Sequence, residues 1–304
     1  MQNSKVELVL DAQNAVGESP VWSPIEQALY WVDIPVRKIH RLAMVTQELS
    51  TWVCPEMTGC IAPHFLDGYW VVGAEKGIFK FTPKSNGEFS FEPIVSVSHS
   101  QEGMRFNDGR HDRQGRFLAG TMVMDMSLAS AAGRLYGLDY GSQGATLVHH
   151  LSGFMTPNGM AFSPKGDTMY LSDSHPNSQK IWSFDYDTDS GEMSRQRLFL
   201  DMVNLPGRPD GAAVDTDGCY WICGNDAGLI YRITPTGMVD QTIALPIKKP
   251  AMCSFGGHNL DTLFVTSIRP SGVDVSDQPL AGGVFAIHTQ AQGLLEVNHR
   301  SSQC

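Results

Sequence analysis

The chain has few charges and lacks the patterns by which charge recruits large partners. Lys, Arg, Asp and Glu make up 18% of 304 residues, and the formal net charge is −10. No run of basic residues occurs, so the electrostatic footprint of a nucleic-acid or membrane-surface binder is missing. No apolar stretch approaches the length of a bilayer span. Residues 1–16 lack a charged segment followed by a long apolar core, and no secretory leader is expected there. The cysteines, Cys54, Cys60, Cys219, Cys223, Cys253 and Cys304, are scattered, and no Asn-x-Ser/Thr sequon is present. That pattern argues against a secreted disulfide scaffold and predicts a reduced, cytoplasmic protein.

Several catalytic signatures are also missing. There is no Gly-x-Ser-x-Gly elbow, no Gly-x-x-x-x-Gly-Lys phosphate cradle, no Gly-x-Gly-x-x-Gly and no His-Glu-x-x-His. Cys219 and Cys223 share one face of an expected strand, but two thiols do not complete a zinc site, and core packing is the simpler reading. His111, His175 and His258 form no ligand spacing. His175 follows Ser172-Asp173-Ser174 and is a candidate for substrate contact. Met160 and Met252 are read as packing residues.

What the chain does have is 30 Gly, 17 Pro and a pattern that returns six times. Turn-rich leads open each copy: Gly17-Glu18-Ser19-Pro20, Gly59-Cys60-Ile61-Ala62-Pro63, Arg105-Phe106-Asn107-Asp108-Gly109, Thr156-Pro157-Asn158-Gly159, Arg208-Pro209-Asp210-Gly211 and Pro250-Ala251-Met252-Cys253-Ser254. Successive leads lie about 40 to 50 residues apart, the period of four-stranded propeller blades. A second and third strand follow each lead, as in residues 28–33 with 38–42 and residues 168–172 with 180–184. A fourth, variable strand comes next, as in residues 90–95. No sustained 3.6-residue apolar period appears, so long helices are not expected. A β-sandwich also has many short strands, but its strands need not repeat a lead. The expected fold is therefore all-β, a six-bladed β-propeller forming a single domain over residues 1–304. Residues 6–10 have no blade of their own; pairing them into the last blade would close the ring and remove two exposed edges.

In a propeller the first strand of each blade lines the central channel, so polar residues starting those strands converge from distant sequence. Glu18, Asn158 and Asp210 would meet at one mouth. Two carboxylates about 4 Å apart repel by roughly 4 kcal/mol at an effective dielectric of 20, unless one is protonated or a cation lies between them. Two carboxylates and an amide oxygen suit Ca²⁺, Mg²⁺ or Mn²⁺, and Zn²⁺ also accepts such ligands. Turn chemistry is the competing explanation for Asn158-Gly159 and Asp210-Gly211; it does not account for Glu18, which precedes Ser-Pro. Arg105 and Asn107 share a strand face and suit a substrate carbonyl and hydroxyls. An ion pair between Arg105 and Asp108 is the alternative. Asp125 follows the second strand of that blade and is either a rim contact or a solvated loop acid.

These stretches resemble the senescence-marker-protein/gluconolactonase family of six-bladed propeller lactonases, over nearly the whole chain. The resemblance rests on residues 16–22, 105–109, 115–122, 157–162, 170–174, 209–211 and 254–257, seven stretches in order at blade positions. It implies a divalent metal held by Glu18, Asn158 and Asp210, and sugar-lactone contacts from Arg105 and Asn107. The acid after Gly120-Thr121-Met122 is commonly Glu in the family; here it is Asp125, a candidate substrate contact shortened by one carbon. The expected reaction is hydrolysis of a γ- or δ-aldonolactone, glucono-, galactono-, xylono- or arabinonolactone, with Asp210 as general base. The alternatives are a phosphotriesterase or arylesterase propeller, and a non-catalytic calcium-binding propeller. The expected partner is a small molecule, with no nucleic acid or membrane; oligomeric state is not readable from the sequence.

Overall fold

The computed structural model describes residues 5–299; Cys304 lies outside them. Six four-stranded antiparallel sheets follow one another along the chain. Blade 1 runs Gly17–Ser23, Ala28–Asp33, Lys38–Ala43 and Leu49–Val53. Blade 2 opens with Thr58–His64, blade 3 with Met104–His111, blade 4 with Pro157–Phe162, blade 5 with Arg208–Val214 and blade 6 with Pro250–Gly256. These inner strands touch their neighbours in turn, and the sixth returns to the first. The outer strand of blade 6 is Val6–Leu10, antiparallel to Val284–His288 in the register Val6↔Ile287. Ring closure by the N-terminal strand is thus as the sequence predicts. The one short 3₁₀ turn among the described residues is Met126–Leu128. No helix there is long and apolar enough to cross a membrane.

Composition explains the layering. Inner and second strands are buried on both faces because blades pack face to face; the second strands are accordingly near-continuous apolar or aromatic runs, while the inner strands carry the polar leads. Between blades 1 and 2, Val21, Tyr30, Val32 and Ile39 interdigitate with Ile61, Trp70 and Phe81. Tyr30 and Trp70 have ring centroids 4.2 Å apart. Outer strands such as Leu49–Val53 alternate exposed and buried positions. The five described cysteines are free and buried, in keeping with the core reading. Cys219 stands just before the strand Tyr220–Asn225, which carries Cys223.

The leads behave differently from simple turns. Apart from Thr156, each lies within its inner strand, and each inner strand loses register with the second strand in or beside its lead: Glu18/Val21, Thr58/Cys60, Phe106/Gly109, Asn158/Ala161, Pro209/Ala212 and Pro250/Cys253. Six bulges therefore replace six expected turns. A bulge frees one or two residues from the ladder and re-aims their side chains. Here the freed groups stitch neighbouring blades together. Ser19 Oγ accepts from Ile61 N at 2.9 Å, Asp108 Oδ2 accepts from Met160 N at 2.8 Å, and Tyr220 Oη donates to Gly159 O at 2.6 Å.

Candidate active site

The bulges at the start of the inner strands in blades 1, 3, 4 and 5 bring Glu18, Asn107, Asn158 and Asp210 inward, and all four are buried. Asn158 Nδ2 donates to Asp210 Oδ1 at 2.5 Å, joining blades 4 and 5. Asn107 Nδ2 donates to Pro157 O at 3.0 Å, joining blades 3 and 4. Burial, then the nearby charges of Asp210 and Asp108, hold the Glu18 carboxyl well above the ordinary carboxylate range. Burial also pushes Asp210 up to about 7, against the lowering influence of Arg208 and Asn225. Two carboxylates are thus desolvated together, and the charge of Asp210 disfavours ionisation of Glu18.

That donor set fits a hard divalent cation. A dication between Glu18 and Asp210 would offset both burial and repulsion, and Asn158 offers an amide oxygen beside them. Among the described residues no three His, Cys, Asp or Glu side chains come together as a metal-holding group.

Arg105 lies half-buried beside the cluster. Its Nη1 donates to Asn107 Oδ1 at 2.7 Å and to Phe106 O at 2.8 Å, so it is ordered by its own strand rather than by an ion pair with Asp108. Burial lowers its guanidinium to about 10. Asp125 is exposed and caps the 3₁₀ turn, its Oδ1 accepting from Ser127 N at 3.0 Å and Ser127 Oγ at 2.6 Å. One of its two oxygens is thereby engaged in the rim loop. His175 is buried; Nδ1 accepts from Asn177 N at 3.1 Å, which fixes Nε2–H toward Met126 O at 3.0 Å. The ring thus ties its own loop after the second strand of blade 4 to the 3₁₀ turn of blade 3.

Two polar residues of the cluster are not among the expected site residues. Asp108, next to Asn107 in the same bulge, adds a third buried carboxylate, with Oδ1 lacking a partner. Its place in the lead was visible, and burial is what gives it weight. Asn225, from the end of the second strand of blade 5, donates through Nδ2 to Asp210 Oδ2 at 2.5 Å. It lies outside every lead, and no spacing signals it.

The chain is thus a six-bladed propeller with acidic and amide side chains drawn in from separate blades. The chain belongs to the SMP-30/gluconolactonase/LRE-like family, whose pattern matches residues 16–269. It is 36% identical over 297 residues to a 6-deoxy-6-sulfogluconolactonase of Pseudomonas putida, covering 97% of this chain and 98% of that protein. It is 34% identical to a regucalcin of Danio rerio over 292 residues, 94% of this chain and 95% of the other. Among solved structures, a luciferin-regenerating enzyme superimposes with a TM-score of 0.89 at 27% identity, covering 98% of this chain and 100% of that one.

Proposed function

We propose that the protein is a metal-dependent hydrolase of a sugar-derived γ- or δ-lactone, acting in the cytoplasm on a small-molecule substrate. Glu18, Asn158 and Asp210 hold one divalent cation, with calcium, zinc, manganese and magnesium all compatible with oxygen donors. The observation that carries this reading is the meeting of Asn158 and Asp210 across two blades, with Glu18 close enough for Asp210 to raise its carboxyl. The name of the Pseudomonas putida relative, a sugar lactonase, supports the substrate class.

A bound dication supplies Lewis-acid polarisation of the lactone carbonyl. Asp210 takes the proton of the attacking water as general base. It returns that proton to the ring oxygen as the acyl C–O bond breaks, so water is added across the ester and the aldonic acid forms. Arg105 and Asn107 orient the lactone, and the guanidinium shares the negative charge developing on the carbonyl oxygen.

The test is hydrolysis of a panel of aldonolactones, read with a pH indicator, before and after chelation and after adding back each metal. Chelation should abolish turnover. Asp210→Ala should lower kcat/KM by about 10²–10⁴-fold, the usual contribution of a lost base, and Glu18→Ala should lower it by weakening metal binding. Full activity of the chelated protein or of either variant would defeat the scheme. Running paraoxon in parallel tests the phosphotriesterase alternative, and Arg105 with Asn107 predicts preference for the polyhydroxylated lactone.

A further inference from the structure

Asp210 is gripped at both oxygens. Oδ1 accepts from Asn158 Nδ2 at 2.5 Å and Oδ2 from Asn225 Nδ2 at 2.5 Å. Asn225 is 1% exposed, and its own Oδ1 is buried without a hydrogen-bond partner. Leaving an amide oxygen unsatisfied in the interior is destabilising, so a residue serving only the fold would not be expected there. The Nδ2 contact to Asp210 is what the side chain gains in return.

Comparison among the blades sharpens this. Asp33 and Asp173 end the second strands of blades 1 and 4. Both turn back on their own lead: Asp33 accepts from Ala15 N and Val16 N, and Asp173 from Met155 N and Thr156 N. Asp173 is the register partner of Pro157. In blade 5 the partner of Pro209 is Gly224, which has no side chain, and Asn225 one residue on is paired with Arg208. Blade 5 has given up the structural acid at that phase. An amide from the next position reaches a carboxylate instead of backbone.

We infer that Asn225 is a positioning residue for the carboxylate of Asp210: it holds Oδ2 so that Oδ1 is presented beside Asn158 and Glu18 for cation binding and proton transfer. This rests on the metal-dependent reading above. Partners that orient a ligating group from outside typically contribute 10- to 100-fold in metal affinity. An amide rather than a carboxylate is required, because only a donor can hold an ionised oxygen without repelling it.

The test uses the full chain, stripped with chelator, titrated with Mn²⁺ and with Ca²⁺ by calorimetry, alongside the melting temperature of the stripped form. Asn225→Leu keeps the size and removes the donor; Asn225→Ser is a smaller second variant in case the first fails to fold. The expected result is a 10- to 100-fold weaker Kd for both ions, with the lactone KM at saturating metal nearly unchanged and kcat reduced. Metal affinity within twofold of the parent in a folded variant would overturn the inference while leaving the lactonase reading intact. A parent protein that binds neither ion would overturn both together.

Discussion

Arg105 is ordered before any substrate arrives. One nitrogen, Nη1, makes the bonds to Asn107 Oδ1 and Phe106 O, which leaves Nε and Nη2 of the fork for a ligand's oxygens. Lysine at this position would be a point charge on a flexible stem and could not anchor and present donors at once. Arg105→Lys should therefore raise the lactone KM by about tenfold, equal to roughly 1.4 kcal/mol of binding, with a smaller effect on kcat. Steady-state kinetics at saturating metal measures this; an unchanged KM would place Arg105 outside the substrate's reach. At this scale the sequence was informative where position repeats. Glu18, Asn158 and Asp210 stand at matching phase in three leads, and phase is visible in one dimension. Asn225 is not, because it reaches Asp210 from a second strand whose equivalents in blades 1 and 4 do other work. Asp125 stands where its sequence position suggests a rim contact, and one of its two oxygens is engaged by Ser127 two residues on.

At the scale of the element, the bulge is the device that turns six ordinary strands into a polar centre. Glycine and proline clusters announced an interruption of the pleat, but periodicity does not distinguish a turn before a strand from a bulge within one. The residue freed by each bulge is what differs, and blade 4 shows the constraint most clearly. Gly159 sits at φ 59°. A Cβ built there would lie 2.5 Å from Tyr220 Oη, 2.8 Å from Asp210 O and 2.8 Å from Ser172 Oγ. The backbone of Asp210 cannot retreat without moving the carboxylate, and Tyr220 Oη is already committed to Gly159 O. Gly159→Ala combines left-handed strain with overpacking and should cost about 2–3 kcal/mol, read as a lower urea midpoint with unchanged slope. It should also weaken metal binding, because the blade 4–blade 5 contact through Asn158 shifts with it. A variant as stable as the parent would show that the interface yields more easily than close packing implies.

The whole molecule is a ring closed twice. Val6–Leu10 completes blade 6, and residues 293–299 cross the other end of the channel, where the inner strands finish. Arg110 anchors that crossing: Nη1 donates to Met160 O and Ala212 O in blades 4 and 5, and Nη2 pairs with Glu296 at 3.1 Å. His111 Nδ1 donates to Val297 O at 3.0 Å, and the His111 and His299 rings stack at 5.2 Å. His64 lies 6.5 Å from His299, and Tyr140 Oη is 2.9 Å from His299 Nε2. Burial, followed by the proximity of His64, pushes His299 down to about 4; burial, followed by His299, holds His111 well below its ordinary value, with Arg110 adding to it. Both rings are therefore neutral in the folded protein while an unfolded chain would titrate near 6.5. Between about pH 6.5 and 4 the unfolded chain binds protons that the fold refuses, so stability is fully present above that window and falls as pH drops through it. The urea midpoint should stay level from pH 8 to 7 and decline steeply below 6.5, with the amides of residues 293–299 exchanging faster before the blades do. His40, also pushed down to about 4 by burial in blade 1, contributes to the same decline. His299→Phe removes one titrating ring while keeping a flat side chain over His111, and should make the loss between pH 7 and 5 smaller. An identical loss in parent and variant would assign the acid sensitivity to groups away from the crossing segment, and the second closure would then be insensitive to pH.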